Sequence, residues 1–274
     1  MAVAKKTASK TTTTTIVPWS ERFAKHAQAA KEQEKGVGGF GQRVKFGPGV
    51  MTVAGGSLPG GKLECVVIGS CAANALYEGA YDPDAPETPV CYAFNVLTED
   101  MAPHEDAPQK QAGNCAECEQ NQFGSAATGK GKACANTRLL GLLTSKDCED
   151  AAAISTVELA VARISPTNLK AWAGYVRAVA DEHGRPPWGV VTEISSHPDP
   201  KTQIRLEFRM VELIDDGDTL EALEKRAGDK VQEVLQQPYT ALPERPAKPA
   251  KAVKPAIKGV KTTVAKSSKF AVKR

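Results

Sequence analysis

The amino-acid sequence predicts an α+β protein dominated by strands: an antiparallel sheet or small barrel with a cysteine-bearing insertion and two or three packed helices, between basic tails. Three observations point there. Short apolar runs alternate with Gly- and Pro-rich turns over much of the chain, which is strand and hairpin punctuation. Helical periodicity is confined to a few stretches. Both ends are rich in lysine and lack an apolar stripe. The 41% hydrophobic content supports a real core, and the formal net charge of +3 hides an uneven distribution, with basic ends and an acid-rich stretch from Asp147 to Glu233.

Residues 1–17 are Lys/Thr/Ala-rich with too little apolar surface to fold alone, so a disordered basic tail is expected. Pro18 opens an expected helix that ends in the glycines at 36, 38 and 39, forming an N-terminal helix and linker over 18–39. The core domain is expected over 40–214. It begins with strands at 42–46 and 50–54, and a more apolar one at 63–69 whose lack of alternation marks burial on both faces. A proline-punctuated loop follows over 76–89, then a strand at 90–94.

The segment 101–140 comes next and leads into apolar residues at 139–143. Residues 156–162 read as strand, with helix arguable. Leu169, Trp172, Tyr175, Val176 and Val179 share one helical face, so a helix is expected from 165–169 to about His183, closed by Gly184. A hairpin is expected from 188–195 and 202–211, turning at 197–200. A last helix spans 219–237 within the segment 215–240, interrupted at Gly228, and 241–274 reads as a disordered Lys/Ala/Pro tail.

The strongest chemical signal lies in 101–140. Cys115 and Cys118 form a C-x2-C knuckle, Cys134 follows a Gly/Lys-rich loop, and His104 lies just upstream. A C-x2-C pair brings two thiolates to one tetrahedral cation, and a distant Cys and a His complete the four-coordinate shell that zinc prefers. The expected cofactor is structural zinc on His104, Cys115, Cys118 and Cys134, with Cys148 and Cys91 as rivals for the fourth place. Seven cysteines in a chain without a secretory signal suit a reducing compartment, where clustered cysteines mean metal rather than disulfides. No apolar run is long enough to span a bilayer.

Gly129-Lys130-Gly131-Lys132 lacks the leading glycine and the Ser/Thr of a nucleotide-binding P-loop. Lys130 and Lys132, with Arg138 nearby, instead suit contact with nucleic-acid phosphates, the alternative being a solvated basic loop. Tyr77, Tyr81 and Tyr92 offer faces for base stacking, the alternative being ordinary core packing. Asp82, Asp84, Glu105 and Asp106 could in principle bind magnesium, which keeps a metal-dependent nuclease or other replication enzyme as an alternative, but their proline-rich setting makes turn residues the better explanation. The lysine tails suit any polyanion, which leaves a structural or nucleoid protein that binds DNA through its tails as a further alternative.

The succession 49–53, 63–68, 81–83, Pro89-Val90-Cys91-Tyr92-Ala93-Phe94, Pro103-His104, Cys115-x2-Cys118, 121–125 and 129–134 resembles a family of bacteriophage proteins encoded among replication and recombination functions. The resemblance covers roughly 47–213 and departs at Ala75-Leu76-Tyr77, Ala135 and Leu139. It implies a zinc-bearing, single-stranded DNA-binding protein of the infected bacterial cytoplasm, without catalysis or membrane attachment, working with other replication proteins or with copies of itself. Hairpins, an intervening helix and an aromatic-bearing sheet suit an OB-like platform for such strands.

Overall fold

The run from Leu63 to Ile68 shows no polar–apolar alternation because it is covered on both sides: Cys65 and Val66 are fully buried, Val67 and Ile68 nearly so. It forms the first half of the longest strand in a nine-stranded sheet of the computed structural model, which describes residues 42–53, 56–78 and 88–239. The expected tail 1–17, helix and linker 18–39, tail 241–274 and Tyr81 lie outside the described residues.

The strands are β1 (Arg43–Gly47), β2 (Val50–Val53), β3 (Gly56–Leu58), β4 (Lys62–Leu76), β5 (Cys91–Asn95), β6 (Ala135–Thr144), β7 (Ala160–Ile164), β8 (Val190–Asp199) and β9 (Gln203–Leu213). Their order is β3-β2-β1-β7-β6-β4-β8-β9, with β5 joining the far half of β4. All pairings are antiparallel except β1 with β7. The sheet curls enough for Ser196 Oγ on β8 to donate to Gly47 O on β1 at 2.6 Å, although three strands separate them in the order. The expected mixed, strand-dominated architecture is present; the pairings follow an open path among the described residues.

Among the described residues four α-helices cover the sheet: α1 (Ala151–Ile154), α2 (Leu169–His183), α3 (Gly217–Arg226) and α4 (Asp229–Leu235). On one face, Trp172, Tyr175 and Val179 of α2 pack on Leu63, Cys65, Val67, Leu140 and Leu142. On the other, Ile154, Leu223, Val231 and Leu235 pack on Val66, Ile68, Cys71, Leu139 and Leu143. Asn168 ties the start of α2 to β9: its Nδ2 donates to Ile204 O at 3.2 Å and its Oδ1 accepts from Leu206 N at 2.9 Å.

Strand β4 carries a bulge at Ile68, where the register with β6 shifts between Val67 and Gly69. A bulge places one extra residue on one strand and reverses the alternation beyond it. Leu63, Cys65 and Val67 therefore share the α2 face, whereas beyond the bulge the odd-numbered Cys71 and Ala73 belong to the opposite one. The register then sets Gly69 opposite Gly141. A Cβ on Gly69 would stand 2.8 Å from Val231 Cγ1, and one on Gly141 2.9 Å from Val231 Cγ2. The two glycines form a dent into which α4 inserts Val231.

Three expectations are corrected in detail. Strand β4 runs on to Leu76 because Ala72, Ala73 and Ala75 are small enough to be buried between β5 and β6. The region read as strand at 156–162 holds strand only from Ala160, preceded by α1, whose start Asp150 caps by accepting from Ala152 N at 3.0 Å. The β8–β9 turn lies at 200–202 rather than 197–200, because Asp199 Oδ1 accepts from the backbone of Lys201 and Thr202 at 2.8 and 2.7 Å.

Overpacking a tight core contact costs about 1–3 kcal/mol. Gly141→Ala is therefore expected to lower unfolding free energy by about that amount, with part recovered on adding Val231→Ala. Denaturant titration of the two single variants and the double variant checks this; an unchanged midpoint in Gly141→Ala would show that the dent does not seat the helix.

Candidate metal centre

The chain between β5 and β6 contains little regular structure, only a short 3-10 turn at Glu119–Asn121, so side chains and cysteines must hold it in place. Cys115 N donates to Met101 O at 2.8 Å, fixing the knuckle to the buried segment that follows β5. Asn121 Nδ2 donates to Cys115 O at 2.7 Å, and Gln122 Nε2 to Ala116 O at 2.8 Å, so two amide side chains grip the knuckle backbone from below. Cys134 N donates to Gln120 O at 2.9 Å, bringing the third cysteine back beside the first two.

Four cysteines line one small cavity of about 20 Å³: Cys91 at the start of β5, Cys115, Cys118 and Cys134. That volume admits one water-sized or smaller guest. Asn74 of β4 lies beside them and hydrogen-bonds the Cys115 thiol. Burial pushes the Cys134 thiol up to about 12, with Cys115, Cys118 and Cys91 adding to the rise and Lys132 opposing it. Cys115 is raised as well, first by burial and then by Cys91 and Cys118, with Asn74 opposing. The mutual influence places the four sulfurs in one electrostatic neighbourhood. Among the described residues no three His, Cys, Asp or Glu side chains are already drawn into ligating geometry, so the thiols surround a cavity without converging on a point. The donor set suits zinc: four thiols from a knuckle and two separate strand ends, Cys115 and Cys118 buried and Cys91 and Cys134 half-buried, with an amide hydrogen bond to a sulfur behind them.

His104 is turned away from this set. Its ring stacks on Tyr92 at 5.2 Å and meets the edge of Phe94 at 6.1 Å, while its Nδ1 accepts from Asp106 N at 3.1 Å. His104 therefore serves the aromatic cluster, and Cys91 stands where the fourth donor was sought. Cys148 is elsewhere, packed under the other face of the sheet and electrostatically coupled to Cys65.

The residues expected to meet nucleic acid are dispersed. Tyr92 is 1% exposed and its faces are taken by His104, Phe94 and Tyr239, the last at 4.9 Å, so it has no surface for a base. Tyr77 is exposed at the end of β4 and hydrogen-bonds Arg163, whose guanidinium also donates to the Tyr239 hydroxyl. Arg138 is half-buried on β6, with Nη1 donating to Ser70 Oγ at 3.2 Å.

Lys130 and Lys132 do share one loop. It is pinched by Gly124 N donating to Gly131 O at 2.7 Å, with both glycines at positive φ, 96° and 85°. Ser125 Oγ braces it by donating to Gln120 O at 2.9 Å and accepting from Ala133 N at 2.9 Å. Reading the sequence alone missed Phe123, which this loop holds 85% exposed, with Lys132 Nζ 5.2 Å from the ring centre and 3.3 Å from Asn121 Oδ1. A lone aromatic in a polar, glycine-rich segment with no apolar partner nearby was the available signal. Compared with protein-family models, curated proteins and solved structures, the chain matches none.

If zinc occupies the four-cysteine cavity, Cys91→Ser is expected to drop metal content from about one equivalent toward none and to lower the melting temperature, while His104→Ala keeps its zinc. Elemental analysis of the two purified variants beside wild type decides between them. Retained zinc in Cys91→Ser with loss in His104→Ala would restore the histidine as ligand.

Proposed function

We propose that this protein binds single-stranded nucleic acid, DNA foremost, without catalysing a reaction on it, and that zinc held by Cys91, Cys115, Cys118 and Cys134 keeps the binding loop in shape. One observation carries the reading: Phe123 stands out of the surface beside Lys132 on a braced loop that also bears Lys130. A large apolar ring left in water is unfavourable unless something covers it. A base stacked on an aromatic face is worth about 1–3 kcal/mol and needs no particular sequence, while neighbouring lysines take the phosphates by releasing counterions.

The resemblance to phage replication and recombination proteins supports the same reading, and with it goes a setting in the cytoplasm of an infected bacterium, among replication proteins or copies of itself. None of the described helices is long and apolar enough to cross a membrane. The lysine-rich ends, by composition, add affinity for any polyanion. An OB-like role for the curled sheet belongs to this proposal too, with the strand path running over the zinc loop rather than over Tyr92.

Anisotropy titrations of the full chain with matched single- and double-stranded oligonucleotides test it. Wild type is expected to prefer the single strand, and Phe123→Ala to weaken that binding by about tenfold. Lys130→Ala and Lys132→Ala should each lower the salt slope for single strands by about 0.7. Equal affinity of Phe123→Ala and wild type would remove the loop from the interface.

A further inference from the structure

Strand β4 has a gap in its pairing. It pairs with β8 over residues 62–65 and with β5 over 72–76, so among the described residues 66–71 have a strand neighbour only on the β6 side. Alternate residues of a strand turn their N–H and C=O groups to opposite edges, so part of this stretch faces an edge that no strand fills. A cleft of about 540 Å³ opens there. Its volume falls in the range of small-molecule pockets, roughly 300–1,000 Å³.

The cleft walls are chemically distinctive. Residues 67–70 of β4 form one wall, and Trp172 and Arg177 of α2, Arg138 of β6 and Trp188 complete it. The two indoles belong to the cores on opposite faces of the sheet, Trp172 with α2 and Trp188 with the other helices. They line one space only because the sheet is interrupted between them. Trp172 is held rigidly, edge-on to Phe208 at 5.3 Å and 5.8 Å from Tyr175. Arg138 donates to Ser70 Oγ and Arg177 Nε to Ala173 O at 3.2 Å each, and neither arginine joins an ion pair among the described residues. Both keep guanidinium N–H groups to spare, since each guanidinium carries five.

We propose that this cleft is a nucleotide-binding site that takes one base with its phosphate. The half-buried Trp188 indole suits a flat heteroaromatic ring, while Trp172, packed against Tyr175 and Phe208, closes the wall behind it. The edge of β4 that no described strand fills offers N–H and C=O groups to the edge of a base, and the spare N–H groups of Arg138 and Arg177, which join no ion pair among the described residues, suit a phosphate, for which arginine's fork is well shaped. The ligand is either a free nucleotide or one residue of a single strand. The second source rests on the strand-binding function proposed above and would give that strand a second anchor, separate from the Phe123 loop.

Two of the chain's three tryptophans line the cleft, so intrinsic fluorescence reports on it directly. The full chain is titrated with thymidine 5′-monophosphate, with an oligothymidylate and with inorganic phosphate. Saturable quenching by both nucleotide probes and none by phosphate is expected. Arg177→Gln, an exposed helix position, should raise both dissociation constants by about five- to tenfold, and Trp188→Phe should remove much of the quenching. No quenching by either nucleotide, or the same constants in Arg177→Gln, overturns the proposal. An oligonucleotide that binds by anisotropy without quenching overturns the cleft alone and leaves the Phe123 loop as the strand site. Quenching by the mononucleotide in a protein that binds no oligonucleotide upholds the cleft as a free-nucleotide site and overturns the strand-binding function.

Discussion

Burial of the sheet's central strands, β4 and β6, on both faces is the constraint on which the rest of this structure depends. A sheet with one wet face can alternate polar and apolar residues, but one covered on both sides must be apolar throughout and needs an element on each side to exclude water. Helix α2 supplies one cover, and α1, α3 and α4 supply the other. Since both covers bear on β4 and β6, small side chains there become positive requirements. The Gly69–Gly141 pair is the clearest case, because the docking of α4 depends on the absence of two methyl groups. The helix is positioned by shape more than by stickiness, as close-packed interiors require.

The chain between β5 and β6 obeys a different rule. It buries little apolar surface apart from Met101, Ala107 and the cysteines, so hydrophobic burial alone cannot offset the entropy of ordering it. Amide and hydroxyl side chains that bond to nearby backbone supply part of the difference, with Asn121, Gln122 and Ser125 each satisfying groups that a helix or strand would have paired. Four thiols around one small cavity offer the rest, because a bound divalent cation would join both ends of the loop to the sheet at once.

Local chemistry was legible in the sequence; long-range placement was not. The knuckle, the third cysteine and the Gly/Lys loop announce themselves by spacing, and the doubly buried run in β4 by its missing alternation. Helix α2 is visible in its repeating apolar face, and the hairpin of β8 and β9 in its turn residues. That Cys91 lies beside the knuckle while His104 stacks on Tyr92 could not be read from the sequence, because it depends on which residues the β4–β5 pairing carries to the knuckle. Tyr92 looked usable because its partner Tyr239 lies well over a hundred residues away. Phe123 was passed over because exposure depends on the loop's fold, and the parallel β1–β7 pairing has no short-range signature at all.

The bulge at Ile68 has a bearing on the cysteines as well as on the helix. Strand β4 enters the bulge in one phase and leaves it in the other, so beyond it Ala72, Asn74 and Leu76 fall in step on a single side. Leu76 stands opposite Cys91 in the ladder, which makes that cysteine share its side. Taking Ile68 into the ladder, so that every later residue of β4 slipped one place along β6, would keep the strands hydrogen-bonded yet turn Asn74, and with it Cys91, to the reverse side of the sheet from the knuckle. A single unpaired residue, several positions upstream, thus acts as the phase-setter that decides where four sulfurs can gather.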